Sequence, residues 1–260
     1  MRRVLKKYIR SILQKFDIAL MRYSGLKTEE SNQKATFDLD FLSAMPSDHV
    51  VNLLNLLPQS ESQLRQDLFV LSTLNFKKNG YFVEFGATDG IGLSNSYLLE
   101  KEFNWSGILS EPAKVWHKDL INNRNVHIEK LCVWKDSNSV LSFNEVDIAE
   151  LSTINSYSGS DIHSKSRHGG HIYDVSTISL NDMLEKYGAP NEIDYLSIDT
   201  EGSEFEILSQ LNFKKYSFKV ITCEHNFTTM RHKIYDLLTH QGYKRVHEHI
   251  SKFDDWYIKI

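Results

Sequence analysis

Cysteine is scarce in this chain, with two in 260 residues. Cys132 and Cys223 both sit in apolar, strand-like runs, HIEKLCVW and FKVITCE, which reads as two buried free thiols rather than a disulfide framework. Proline is scarce too, at four, and glycine numbers twelve, which excludes collagen-like and low-complexity chains. No apolar run approaches the roughly 20 residues that span a bilayer, which excludes a transmembrane helix. The N-terminus has basic residues but neither an uninterrupted apolar stretch nor a small-residue cleavage site. It does not read as a secretory signal, and the expected location is cytoplasmic.

A strong net charge is also lacking, at −4, but that figure conceals an asymmetry. Residues 1–27 hold eight basic side chains and one acid, Asp17, so the segment carries +7 and the rest of the chain −11. An acidic body of this kind repels phosphates, which argues against a nucleic-acid partner. Val4, Tyr8, Ile12, Phe16 and Leu20 recur every four positions, so residues 3–23 are expected to form an amphipathic helix. Two readings of it stay open: a helix packed on protein, or one lying on an anionic membrane surface. Residues 24–36 are polar and read as a linker, and a short helical stretch around DHVVNLLNLL ends at Pro58. The expected division is therefore an N-terminal segment, 1–59, and a main domain, 60–260.

From residue 60 short apolar runs alternate with helical segments. Strands are expected at 81–85, 107–110, 126–133, 193–198 and 218–223, and helices at 93–103, 112–123, 203–211 and 229–240. This alternation predicts a parallel α/β sheet. YKRVHEHI and DWYIKI, only a few residues apart, must pair antiparallel, because a parallel crossover needs a dozen residues or more. Residues 147–175 are rich in Ser, Gly and His and read as a substrate-covering loop. The spacing of His163, His168 and His171 fits no compact zinc pattern.

Two groups of residues carry the chemistry. In YFVEFGATDGIGLSNSY an apolar strand ends at Glu84 and enters a turn with Gly86, Asp89, Gly90 and Gly92. A dinucleotide would need G-x-G-x-x-G and would be repelled by Glu84 and Asp89. S-adenosylmethionine, with an ammonium, a sulfonium and no phosphate, suits these acids. Glu111, at the end of the next strand, is placed to hydrogen-bond ribose hydroxyls. The second group is Asp199, Glu201 and Glu204 in IDTEGSE, with Glu224 and His225 in CEHNF. Acids at one sheet edge need a proton, a basic side chain such as Arg231, or a divalent metal between them. A metal is not favoured, since these acids have other roles. Glu204 suits helix capping equally well. His225 or Asp199 could serve as a general base.

Taken together, SQLRQDLFVL, GYFVEFGATDG, LSNSYLLEKEFNWSGILSEP, IDYLSIDTEGSEFEIL, CEHNF and DDWYIK resemble the FkbM-type family of S-adenosylmethionine-dependent methyltransferases. The resemblance runs from about residue 60 to the end. It implies a class I methyltransferase fold, a Rossmann-like seven-stranded sheet that is mostly parallel with an antiparallel C-terminal hairpin. It also implies methyl transfer, usually to oxygen, on a sugar, glycan or secondary metabolite. Carried onto this chain, Glu84, Gly86, Asp89, Gly90 and Glu111 would bind cofactor, while Asp199, Glu201, Glu224 and His225 would face the acceptor. Thr88 departs from the glycine that many methyltransferases carry there. A rival reading is a catalytically silent binding or adaptor protein on the same scaffold.

Overall fold

The computed structural model describes residues 23–159 and 163–260 of the chain. The described residues fall into two units, divided between Ser43 and Ala44. The amphipathic helix expected over residues 3–23 falls almost wholly outside them. The expected linker 24–36 is instead part of one helix, α1 (Tyr23–Ala44). It lacks an apolar stripe, which is what hides it from a periodicity argument. Lys, Glu, Gln and Ala nevertheless favour helix intrinsically, and no proline interrupts them. Among the described residues no helix is long and apolar enough to cross a membrane.

The second unit begins with two short helices, α2 (Val50–Leu56) and α3 (Gln66–Thr73). Then come β1 (Tyr81–Phe85), α4 (Tyr97–Phe103), β2 (Ser106–Ser110), α5 (His117–Asn123) and β3 (His127–Glu129). An inserted segment follows, holding β4 (Cys132–Trp134), β5 (Val140–Glu145), β6 (Thr153–Ile154) and β7 (His171–Ser179). The chain then continues through α6 (Leu180–Lys186), β8 (Glu192–Ile198), α7 (Glu204–Ser209), β9 (Ser217–Glu224), α8 (Met230–His240), β10 (Tyr243–Val246) and β11 (Asp254–Lys259). The main sheet has seven strands in the order β10-β11-β9-β8-β1-β2-β3. Only β11 is reversed, pairing antiparallel with both β9 and β10. The expected α/β architecture and its antiparallel finish are both present. Val83, Leu196, Ile198, Phe218 and Ile221 are buried in the sheet's core. Burying each contributes roughly 1.5–3 kcal/mol. Strand β8 is buried at every position after its first residue, including the polar Asp194 and Ser197, as expected for a central strand covered on both faces.

The inserted segment carries structure that periodicity does not reveal. The run expected as one strand over 126–133 is two. After β3 the chain turns, and β4 joins a second, four-stranded sheet in the order β4-β7-β5-β6. The break carries neither Gly nor Pro. It is made by Glu129, whose carboxylate accepts the N–H groups of Lys130 at 2.9 Å and Leu131 at 3.0 Å. Strand β6 and the start of β7 lie within the expected loop 147–175, which is therefore partly sheet. Cys132, Trp134, Phe143, Ile154 and Val175 pack as this sheet's own small core.

Candidate active site

A cavity of about 330 Å³ opens where the carboxyl ends of β1, β2, β8 and β9 meet the second sheet. Parallel strands that carry an acid at their ends deliver those acids to one edge, and ligands of open α/β sheets bind there. Glu84, Gly86, Glu111, Asp199, Glu201 and Glu224 all line the cavity. Asp89, Gly90 and His225 stand outside its lining.

Glu84 is buried and turned into the start of α4. Its Oε1 accepts the Asn95 N–H at 2.6 Å, and its Oε2 accepts the hydroxyls of Ser94, at 3.1 Å, and Ser96. Arg124 lies 4.0 Å away and ties the same segment to Gly90 O. The acid therefore shapes the cavity wall, and Asp89 and Gly90 shape the loop. Asp89 Oδ1 accepts the N–H groups of Ile91 and Gly92 at 2.8 and 2.9 Å, a side-chain-stabilised turn. Gly86 is required by space. Its φ is +70°, and a Cβ there would lie 2.3 Å from the backbone oxygen of Asp199. Thr88 also sits at positive φ, +48°, which explains why glycine is a natural occupant of that position. Glu111 accepts the N–H groups of Thr88 at 2.9 Å and Ala113 at 2.8 Å, so it fastens the glycine loop to the end of β2. Burial pushes its carboxyl up to about 7, against these hydrogen bonds.

The second cluster is tighter. Oxygens of Asp199, Glu201 and Glu224 lie within 4.8 Å of one another, close enough for a hard cation. Their charge is already partly matched. Burial raises both Asp199 and Glu224, Glu224 well above the carboxylate range, and each acid's nearness to the other couples them. Two carboxylates in that relation hold one proton between them near neutrality. Glu201 faces Arg167, whose buried guanidinium donates to Glu201 Oε2 at 2.6 Å and to Leu151 O at 2.8 Å. Asn226 Nδ2 adds a donor to the same carboxylate at 3.2 Å. Glu201 and Asn226 both adopt positive φ, +58° and +41°, so the backbone is strained on both sides of the cluster.

Two expectations are corrected here. His225 does not face the cavity. Its Nδ1 accepts the Phe227 N–H at 3.0 Å and its Nε2 lies 3.8 Å from Asp255 Oδ1. Burial lowers its pKa to about 4, so it is neutral but turned towards the wrong partner for a base at the cavity. Arg231 does not compensate the cluster either. It pairs with Asp255 at 2.7 and 2.9 Å. The compensating cation is Arg167, in the short turn Ser164–Arg167 that precedes β7. Glu204 accepts the backbone N–H groups of Thr200 and Gly202, at 3.1 and 2.9 Å, which is a turn-forming role. The covering segment does reach the cavity through Leu151, Ile154 and His163. Sequence reasoning misses Asn95, Arg167 and Asn226. An acid cluster signals that a cation must exist, but nothing in SKSRHGG says that Arg167 is the one.

The family described as Methyltransferase FkbM domain matches residues 84–245. Among solved structures, precorrin-6y C5,15-methyltransferase from Geobacter metallireducens GS-15 is similar at 13% identity. The match covers 69% of this chain and 71% of that one, with a TM-score of 0.40. A fibrillarin/Nop5p complex is similar at 11% identity, with 70% and 72% covered and a TM-score of 0.33. No curated protein matches the chain.

Proposed function

The chain belongs to the FkbM methyltransferase family, and from that premise we propose that it methylates a hydroxyl of a sugar, glycan or secondary metabolite using S-adenosylmethionine. Two features support the cofactor. Gly86 leaves bare backbone at the cavity wall. The lining is rich in carboxylates, which suit a cation without phosphate. Glu111 and the Gly86 backbone would hold the adenosyl end, with Asp89 and Gly90 fixing the loop behind them. Bound there, S-adenosylmethionine would supply an electrophilic methyl group, with a neutral thioether as the leaving group.

The observation that carries the reading is that oxygens of Asp199 and Glu224 lie within 4.8 Å of each other inside the cavity. Holding one proton, the pair keeps one negative charge and one acceptor site. The acceptor's hydroxyl proton passes to that site. Its raised affinity for protons makes it a better base than an ordinary carboxylate. Glu201 serves differently: paired with Arg167, it anchors the covering segment over the pair. Much of the rate enhancement comes from holding the acceptor in line, as expected where no covalent intermediate is needed.

Calorimetry with S-adenosylhomocysteine, followed by turnover on a panel of glycans, tests the proposal. Binding with turnover supports it. Absence of binding by folded protein overturns it, and tight binding without any acceptor favours an adaptor on a methyltransferase scaffold.

A further inference from the structure

Asn95 presents a polar atom that the protein itself does not satisfy. The residue is 8% exposed and lines the cavity. Its N–H is held by Glu84 on β1, and its amide Nδ2 donates to Ser197 Oγ on β8 at 2.9 Å. Among the described residues the amide oxygen Oδ1 has no hydrogen-bond partner. A buried acceptor left in this condition is costly and calls for a donor.

Its place in the fold says which donor. From β1 the chain builds outward through β2 and β3, then returns to the other side of β1 to build β8 and β9. The strand order reverses between β1 and β8, and ligands enter the crevice at such a point. Asn95 bridges that crevice, hydrogen-bonded to both strands. Glu111 stands at the end of β2, on the opposite side of β1. A ligand with its ribose at Glu111 therefore extends its other end towards Asn95. An amide oxygen on the residue whose backbone N–H the Glu84 carboxylate holds favours a cationic N–H group there.

We propose that the Asn95 amide oxygen is the receptor for the ammonium group at the amino-acid end of the cofactor. This rests on the reading of the cavity as an S-adenosylmethionine site. It makes Asn95 a determinant of cofactor selection, separate from the acids that face the acceptor.

The test compares two probes by calorimetry: S-adenosylhomocysteine and its deaminated analogue, which keeps the carboxylate and lacks the amino group. Asn95→Leu should weaken S-adenosylhomocysteine at least about tenfold, the scale of one charge-assisted hydrogen bond, and leave the analogue within about twofold. Asn95→Asp, which keeps an oxygen at the position, should raise the preference for S-adenosylhomocysteine over the analogue at least about threefold. It serves alone should Asn95→Leu fail to fold. Equal losses for both probes, or an unchanged preference in Asn95→Asp, overturn the assignment. Failure of the wild type to bind S-adenosylhomocysteine at all overturns the cofactor reading as well, so the two failures are distinguishable.

Discussion

Replacing Arg167 by methionine tests whether the covering segment is fastened to the acid cluster by charge. The Arg167 side chain is fully buried and reaches Glu201 at 2.6 Å, with the acid's side chain 9% exposed. Methionine preserves much of the volume but leaves Glu201 beside Asp199 and Glu224 with its guanidinium gone. Removing one member of a buried pair costs about 3–5 kcal/mol, because the remaining charge is uncompensated. For a unit of this size each kcal/mol lowers Tm by roughly 2–4 °C, so a fall of about 6–20 °C is expected. A double-mutant cycle separates charge from packing. Glu201→Gln removes the stranded charge, so adding it to Arg167→Met should recover at least about 2 kcal/mol by urea titration at pH 8. Strict additivity, or a single-variant loss below about 1 kcal/mol, would refute the argument that the pair is a buried anchor.

Asp199→Asn removes the ionisable site and should lower kcat by about 10²–10⁴-fold in a methyl-transfer assay while S-adenosylhomocysteine still binds. The acid limb of kcat/KM should lie above the ordinary carboxylate range, because burial raises both Asp199 and Glu224, and the rate rises as the pair ionises. A limb near pH 4 would count against the pair as base. Gly86→Ala should cost at least about 1–2 kcal/mol for its left-handed φ alone, and more because the new Cβ meets the Asp199 oxygen, read as a lowered urea midpoint. Asp254 is buried and pushed up to about 8, chiefly by burial. A raised folded pKa favours folding at low pH, and that advantage disappears as pH climbs from about 4 to about 8. Asp254→Asn should therefore gain on the wild type between pH 5 and pH 8, by on the order of 2–4 kcal/mol. An unchanged difference would place that acid in water.

The legible part of the site follows from where strands put their last residues. Glu84, Glu111, Asp199 and Glu224 stand at or near the ends of apolar runs, and parallel topology alone carries them to one edge. No side-chain contact enters that inference. The residues that escape it are those whose role depends on where a side chain turns. His225 follows Glu224 directly, yet alternation along the extended chain directs it away from the cavity, towards Asp255. Asp89 and Gly90 share a loop with Gly86 but form its turn rather than its lining. The second sheet is hidden for a related reason. The turn between β3 and β4 is made by a carboxylate capping two N–H groups, and Glu129 within an apolar run looks like any other strand residue.

The charge split has a physical consequence once the acids are placed. Several of the acids of residues 28–260 are not available to a ligand. Asp194 is held by Lys77 and Lys219, Glu129 by Lys186, and Asp255 by Arg231 and Arg245. The cavity lining keeps Glu84 and Glu111, fastened to backbone N–H groups, the exposed Glu150, and the Asp199–Glu224 pair with its proton. In Glu111 and that pair burial pushes a carboxyl upward, and among the described residues no cation pairs with them directly. A cationic ligand entering the cavity would supply that missing charge, whereas an anionic acceptor would add to the repulsion. If the proposed function holds, phosphorylated or carboxylated glycans should be poorer substrates than their neutral counterparts by the same electrostatics, and equal turnover of the two in a methyl-transfer assay would count against it.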